Sequence, residues 1–246
     1  MTTRQLFVFD SPQQLSEKAA QGWIDQGNQA ILDNGAFHIA LSGGSTPKRL
    51  FKVMAQPTFA QQLEWSKIHI YFGDERCVPA DHPDSNYKMA FDELLSHVPC
   101  PADNIHRMAG ELDDPATAAH QYSQTLIDNV PLDAKAIPCF DLIFLGIGTD
   151  GHTASLFPES DALFEEHKLA VANYVEKLQS WRLTLTYPTI NNAKKIIVLA
   201  EGEQKADLIH EIFTTDTHNY PIQKVIPKYG DLMWYVDKDA AKKMPN

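Results

Sequence analysis

The segment that most constrains the fold is the eight-residue run DLIFLGIG at positions 141–148. After Asp141 the run contains only apolar residues and glycine. A strand that is apolar at consecutive positions is buried on both faces, as in a parallel sheet that helices cover on each side. A strand with one face in water would instead alternate apolar and polar residues. The run therefore predicts a central strand of a parallel sheet.

Six other short runs are rich in β-branched and aromatic residues, and longer segments with apolar residues at helical spacing lie between them. Alternating strands and helices predict βαβ units in a three-layer α/β/α sandwich. A closed barrel of eight strands is the competing fold, but the uneven connections favour an open sheet. The predicted strands are 5–9, 37–41, 68–72, 141–145, 182–186, 196–200 and 233–236, and the predicted helices are 13–32, 47–54, 86–95, 116–128 and 203–213.

Composition limits the classes of function. The 246 residues include 43% hydrophobic residues, enough to bury a core, so we expect a folded chain. No repeat or linker is evident, and we expect one α/β domain over residues 1–246. The net charge of −11 argues against general nucleic-acid binding, which needs a basic face to neutralise phosphates. A small anionic substrate is still compatible with this charge, because a few cations in one pocket can override the average.

Cysteine usage and hydropathy bear on location. Cys77, Cys100 and Cys139 form no CxxC pair, which favours a reducing compartment. The start of the sequence lacks the apolar run of a signal peptide, and no stretch approaches the roughly 18 apolar residues that a membrane span needs. We therefore expect a cytoplasmic protein without a membrane association.

A glycine-rich turn joins the strand 37–41 to the next predicted helix. Its residues can bring the backbone close to a ligand, and the N–H groups at a helix start form a cradle for phosphate or carboxylate. We expect Ser45 or Thr46 to cap the helix, with Pro47 at its first position. A tight, well-capped turn without a ligand is the alternative. The candidate binding residues in the turn are Gly43, Gly44, Ser45 and Thr46.

Charged residues follow the strand 68–72. In an open α/β sheet, ligands bind just beyond the carboxyl ends of the strands, so we expect these residues near a ligand. A carboxylate beside a guanidinium could orient a catalytic group or hold substrate hydroxyls, and a solvated ion pair is the alternative. We expect Asp84 or Ser85 to cap the next helix, and Asn86 either to be structural or to face the pocket. The charged residues are Asp74, Glu75 and Arg76.

A histidine in a glycine-rich loop follows the most apolar strand. His152 stands at the carboxyl end of that strand, and an imidazole titrates near neutral pH, which suits a general base or acid. Asp150 could orient this imidazole or cap the next turn. The other nine histidines have no comparable setting. We expect no metal site and no serine-hydrolase triad, because neither an HExxH nor a GxSxG motif is present.

Two cations stand near other strand ends. Arg182 is expected at the start of its strand, and Lys205 in the first turn of a helix, where the helix dipole disfavours a positive charge. A local cost of this kind is expected where a residue is placed for a ligand. The alternative for Lys205 is a surface position near the compensating Glu201 and Glu203.

Together these motifs resemble the glucosamine-6-phosphate isomerase/6-phosphogluconolactonase family, from about Ala40 to Trp234. Each motif alone is weak, but their combination and order are specific. The resemblance implies a modified Rossmann-like α/β/α fold and no nucleotide, metal or other cofactor. The motifs are LSGGSTPKRLF (41–51), YFGDERCVPADHPDSNYKMAFDELL (71–95), DLIFLGIGTDGHTASLFP (141–158), RLTLTYPTINNAKKIIVLAEGEQKA (182–206) and VIPKYGDLMWYVD (225–237).

The resemblance also implies an activity, the hydrolysis of 6-phospho-D-glucono-1,5-lactone to 6-phosphogluconate in the oxidative pentose phosphate pathway. His152 is then expected to act as general base, with Asp74, Asp150 or Arg76 orienting it or the sugar hydroxyls. The turn 43–46, Arg182 and Lys205 are expected to hold the phosphate. The expected partner is this phosphosugar lactone, and the expected state is a monomer or small homo-oligomer.

Two other functions are compatible with the same motifs. Glucosamine-6-phosphate deaminases carry a similar histidine loop that ends in Asn-Glu-Pro, and the glutamate assists ring opening. In this chain Phe157 stands where that glutamate would fall, and a phenyl ring transfers no proton. This departure argues for lactone hydrolysis. A non-catalytic sugar-phosphate sensor with the same pocket is the third hypothesis.

Overall fold

A computed structural model describes residues 4–215 and 219–245. Short 3₁₀ turns link several of the regular elements. The strands are Arg4–Phe9 (β1), Phe37–Leu41 (β2), Ile68–Phe72 (β3), Asp74–Arg76 (β4), Leu142–Gly146 (β5), Ala170–Val175 (β6), Ser180–Leu185 (β7), Lys195–Ala200 (β8) and Asp231–Asp237 (β9). The helices are Pro12–Asn34 (α1), Ser45–Met54 (α2), Pro57–Ala60 (α3), Asn86–Glu93 (α4), Pro115–Asn129 (α5), Tyr187–Ile190 (α6) and Ala206–Thr214 (α7).

Six strands form one parallel sheet in the order β1-β9-β8-β5-β2-β3. The apolar strand β5 lies inside the sheet, and its alternate side chains enter two different cores. Leu142 and Phe144 pack with α1, α2 and α4, whereas Ile143 and Leu145 pack with α5 and α7. Helices therefore cover both faces of the sheet, which confirms the predicted α/β/α sandwich.

The strand order reverses between β2 and β5. From β2 the chain continues outward to β3, and from β5 it continues in the other direction to β8 and β9. Such a reversal leaves a crevice outside the carboxyl ends of the two neighbouring strands, where open α/β sheets bind ligands. The glycine turn after β2 and the histidine loop after β5 both start at this crevice.

A second sheet of three antiparallel strands, in the order β4-β7-β6, corrects part of the sequence prediction. The predicted strand 182–186 belongs to this sheet and not to the parallel one. Arg182 lies within β7 rather than at its start, opposite Arg76 of β4. Neither the three-residue β4 nor β6 was predicted. The side chains of Leu183 and Leu185 in β7 pack into the α5 and α7 core.

Three histidines stack near the amino ends of β2 and β3, away from the crevice. His38 and His69 are opposite each other in register with ring centroids 4.8 Å apart, and His106 stacks on His69 at 5.6 Å and on Tyr71 at 4.5 Å. Burial and the neighbouring imidazoles lower the pKa of His38 and of His106 to about 4. Burial also lowers the pKa of His69. The folded protein therefore holds the stack neutral.

The stack predicts that the protein loses stability in weak acid. Because these pKa values are lower in the folded than in the unfolded chain, the unfolded chain binds more protons between about pH 6.5 and pH 4. The stabilisation is complete above about pH 6.5 and is lost as the pH falls toward 4. Urea unfolding at a series of pH values measures it. Between pH 6.5 and 4 the free energy of unfolding should fall less steeply with pH in the double variant His69→Gln, His106→Gln than in the parent protein. It should fall as steeply as in the parent in the control His120→Gln, His210→Gln, whose histidines are exposed. Equal slopes in all three proteins would contradict the assignment.

Candidate active site

A cleft of about 440 Å³ opens at the crevice beyond β2, β5 and β8. Strands β4 and β7 of the second sheet form another of its walls. Of the ten site residues that the sequence predicted, nine line this cleft. They are Gly43, Gly44, Ser45, Thr46, Asp74, Arg76, His152, Arg182 and Lys205. Asp150, the tenth, contacts His152.

The glycine turn presents the start of α2 to the cleft. The helix begins at Ser45, and Gly44 is its N-cap with φ of 104°, a left-handed region that favours glycine. Within the described part of the chain no side chain caps this helix, so the expected capping by Ser45 or Thr46 is wrong. Pro47 lies at the third helical position, not the first. The first N–H groups of a helix have no partner within it, and here they are available to an anion.

The packing behind the turn requires glycine at position 43. A Cβ atom there would lie 2.0 Å from Oδ1 of Asn86. Asn86 is buried, and its amide donates to the carbonyl oxygen and, at 3.2 Å, to Oδ1 of Asp74. Of the two roles that the sequence left open, Asn86 therefore has the structural one, and it supports the turn from behind.

The histidine loop also has tight steric requirements. Within the loop, the Gly148 N–H donates a backbone hydrogen bond of 2.9 Å to the His152 carbonyl, and Gly151 has φ of 75°. A Cβ atom on Gly148 would lie 2.1 Å from the imidazole of His152. The glycines thus allow the loop to fold back so that the imidazole lines the cleft.

Asp150 orients the imidazole. Its Oδ1 lies 2.5 Å from Nδ1 of His152. When Nδ1 carries the proton and donates it to this carboxylate, the lone pair is on Nε2. Of the three residues proposed to orient His152, only Asp150 makes this contact among the described residues.

The environment of His152 keeps the ring neutral. The ring of Phe157 stacks on it with centroids 4.0 Å apart. Burial lowers the pKa of His152 to about 4, and the positive charges of Lys205, Arg182 and Arg76 act in the same direction, against the opposing charge of Asp74. A neutral imidazole at physiological pH can accept a proton.

The acidic pair after β3 divides into two roles. Asp74 lines the cleft, and its Oδ2 accepts a hydrogen bond of 2.7 Å from the buried Ser155. Glu75 points away and accepts the N–H groups of Asn86 and Tyr87 at the start of α4. Ser85 is the N-cap of α4, as one of the two predictions had it, and its hydroxyl donates to Glu75. Burial raises the pKa of Glu75. Glu75 therefore supports the fold of this wall.

Positive charges gather in the cleft. Arg76 and Arg182 are cross-strand neighbours in β4 and β7, and burial together with the charge of Arg76 lowers the pKa of Arg182. Arg182 donates to the Ser180 hydroxyl at 2.7 Å, and Arg76 donates to the carbonyl of Asp84. Two guanidinium groups side by side repel each other until an anion lies between them.

Lys205 also lines the cleft and makes no ion pair within residues 4–215 and 219–245. The sequence offered Glu201 and Glu203 as compensating charges, but Glu201 pairs with Arg49 and Glu203 with Lys242. Burial lowers the pKa of Lys205. A half-buried, uncompensated cation that faces a cleft is a candidate ligand for an anion.

Several lining residues were not predicted from the sequence, above all Lys177 and Leu178 at the tip of the β6–β7 hairpin. No motif surrounds them, and the hairpin reaches the cleft only because β7 pairs with β4. Within the described residues, no group of three or more histidine, cysteine or acidic side chains is arranged to hold a metal ion. None of the described helices combines the length and apolarity that a membrane crossing requires.

The glucosamine-6-phosphate isomerase/6-phosphogluconolactonase family model matches residues 10–234. The chain belongs to this family. Curated relatives named 6-phosphogluconolactonase include one from Haemophilus influenzae, 39% identical, with 95% of this chain and 97% of that protein covered. Another, from Synechocystis sp., is 40% identical and covers 98% of each chain.

Solved structures agree with this membership. A 6-phosphogluconolactonase from Trypanosoma cruzi is 31% identical, with a TM-score of 0.87. The match covers 100% of this chain and 99% of that protein. A monomeric glucosamine-6-phosphate deaminase has a TM-score of 0.80 at 20% identity, over 97% of this chain and 99% of that one. At this identity the second likeness shows the fold alone, so the fold does not distinguish the two activities.

Proposed function

We propose that this protein hydrolyses 6-phospho-D-glucono-1,5-lactone to 6-phosphogluconate, a step of the oxidative pentose phosphate pathway, with His152 as general base. The observation that carries the proposal is one cleft that holds a neutral imidazole on a carboxylate together with three cations, Arg76, Arg182 and Lys205, that make no ion pair among the described residues. The relatives named 6-phosphogluconolactonase, at about 40% identity over nearly the whole chain, support the same activity.

The phosphate end of the substrate is assigned to the cationic side of the cleft. A phosphate dianion placed at the start of α2 accepts N–H groups of the turn and is held by Lys205 and Arg182 through charge-assisted hydrogen bonds. The anion also removes the repulsion between Arg182 and Arg76. Binding energy gained at this remote group positions the lactone carbonyl for attack.

At the other end, Nε2 of His152 accepts a proton from water while the water oxygen bonds to the lactone carbonyl carbon. The tetrahedral intermediate then collapses, the bond from this carbon to the ring oxygen breaks, and the imidazolium returns its proton to that oxygen. Asp150 holds Nδ1–H throughout and stabilises the imidazolium. The products are a carboxylic acid, which ionises in water, and a free hydroxyl group on the sugar chain.

Phe157 supports hydrolysis over deamination. Its phenyl ring stacks on His152 at the position where the deaminase loop carries a glutamate. A group without an exchangeable proton at this place cannot assist the opening of an amino-sugar ring. The aromatic ring instead shields one face of the imidazole from water.

A coupled assay tests the proposal. Glucose-6-phosphate dehydrogenase generates fresh lactone, and 6-phosphogluconate formation is followed against an enzyme-free control, because the lactone also hydrolyses spontaneously. We expect turnover well above the control and no ammonia from glucosamine 6-phosphate. Ammonia release would identify a deaminase, and lactone binding without turnover would identify a sensor.

Two further proposals concern the whole chain. We propose a cytoplasmic location, which the three free cysteines support because unpaired thiols suit a reducing compartment. We also propose that residues 1–246 form one domain, because side chains of both sheets pack into a shared core. A monomer or small homo-oligomer stays a prediction.

A further inference from the structure

One charged side chain in the cleft has no role in the chemistry described so far. Lys177 lies at the tip of the hairpin between β6 and β7, in a turn that ends at Gln179 with φ of 45°. The two strands pair in register from Ala170↔Leu185 to Val175↔Ser180, so the hairpin is held along its length. Its tip thereby brings Lys177 into the lining of the cleft.

The ammonium group of Lys177 pairs with Oδ2 of Asp150. The other oxygen of the same carboxylate, Oδ1, lies 2.5 Å from Nδ1 of His152. Nζ of Lys177 also lies 5.1 Å from the centroid of the Phe157 ring, which stacks on the imidazole. Lysine, carboxylate and imidazole therefore form a continuous chain, and the Phe157 ring lies against the lysine at one end and the imidazole at the other.

We infer that Lys177 is a positioning residue for the reaction: it fixes the Asp150 carboxylate against His152 and offsets that carboxylate's charge. The inference rests on the proposed function, because it concerns how the general base is set. A carboxylate held at both oxygens keeps one orientation, and so keeps the imidazole tautomer with its lone pair on Nε2.

The charge of Lys177 has a second consequence. An uncompensated carboxylate beside an imidazole favours the imidazolium and raises the pKa of the ring, whereas a nearby cation opposes this. The other charged groups that act on His152 are Asp74 from β4 and the cations Arg76, Arg182 and Lys205. None of these touches Asp150 in the described residues. Lys177 is thus the group that can set the effect of Asp150 on the base.

The test compares Lys177→Met, which keeps the length of the side chain and removes the charge, with Lys177→Arg, which keeps the charge. Lys168→Met is the matched control, since Lys168 is an exposed lysine just before β6 and outside the cleft lining. The side chain of Lys177 is 53% exposed, so its removal leaves no buried gap. Circular dichroism checks that all variants fold.

Two readouts are measured. In the coupled assay from pH 4.5 to 8.5, Lys177→Met should lower kcat about tenfold with KM within about twofold, and Lys177→Arg should recover most of the loss. In an NMR titration of the His152 ring without substrate, Lys177→Met should raise the ring pKa by about one unit. The acid limb of kcat/KM, which reports the free enzyme and lies near the lower end of the assay range in the parent protein, should move upward by the same amount. Lys168→Met should match the parent protein in both.

An unchanged His152 pKa in Lys177→Met would overturn the inference, and so would a raised KM with unchanged kcat, which would make Lys177 a substrate ligand. Failure of the proposed function has a different signature. In that case the parent protein shows no turnover above the enzyme-free rate, while the NMR shift still reports the coupling between Lys177 and His152.

Discussion

Replacing His152 with alanine is expected to lower kcat for the lactone by about 10²–10⁴-fold, the contribution of a positioned general base. The variant loses the acceptor for the water proton and the donor to the ring oxygen, but it keeps the cations and the turn that bind phosphate. KM should therefore change much less than kcat. The coupled assay measures both constants, with the spontaneous rate subtracted.

The control for this variant is His120→Ala, because His120 is an exposed histidine outside the cleft lining. It should retain the activity of the parent protein. Since Gly148 and Phe157 pack against the His152 ring, the fold of His152→Ala must be compared with that of the parent by circular dichroism. A folded His152→Ala protein with near-normal kcat would remove this residue from the role of base.

Replacing Arg182 with methionine is expected to raise KM by about 10- to 100-fold, since a hydrogen bond to a charged group contributes about 1.5–3 kcal/mol. If the phosphate is bound equally in the ground and transition states, kcat changes little. Lys205→Met should also raise KM and change kcat little. The exposed Lys228→Met, outside the cleft lining, is the control and should leave KM unchanged.

A second measurement separates ligand binding from folding in Arg182→Met. The guanidinium groups of Arg76 and Arg182 are neighbours, and the charge of Arg76 already lowers the pKa of Arg182. Removing one charge relieves this repulsion, so the urea midpoint of the variant without ligand should not fall below that of the parent. A lowered midpoint together with an unchanged KM would make Arg182 a structural residue.

The parallel sheet could be predicted because burial on both faces leaves a direct trace in the sequence. Strands β2 and β3 begin and end where the apolar runs predict. The run 141–145 is displaced by one residue from β5, because Asp141 does not join the strand but accepts the N–H of His38 and pairs with Lys194. Asp141 comes directly before the apolar residues in the sequence, and its side chain holds the segments of His38 and Lys194 in the fold.

The second sheet left a weaker trace. Strand β4 consists of three charged residues, Asp74 to Arg76, and only its pairing with β7 makes it a strand. The sequence 182–186 has the composition of a strand, but nothing in it specifies which sheet it joins. Pairing with β6 extends this strand back to Ser180, so Arg182 lies inside the strand and not at its start. The capping role given to Ser45 and Thr46 was wrong for another reason, since Gly44 already occupies the N-cap.

The site could be predicted in part. Motifs at the carboxyl ends of parallel strands meet in one place, so His152, the glycine turn and Lys205 could be brought together from their positions in the sequence. The partner of each charged group could not be predicted from the sequence, because it depends on tertiary contacts. Thus Asp150 and not Asp74 contacts the imidazole, and Lys177 completes that chain from a hairpin that carries no motif.

The most direct test of the central claim is a crystal structure of the protein with bound 6-phosphogluconate, the product of the proposed reaction. We expect the phosphate at the start of α2, in contact with Lys205 and Arg182, and the new carboxylate within hydrogen-bonding distance of Nε2 of His152. A product whose phosphate occupies the cation cluster while its carboxylate points away from His152 would contradict the assignment of the base. A product bound outside this cleft would contradict the whole account.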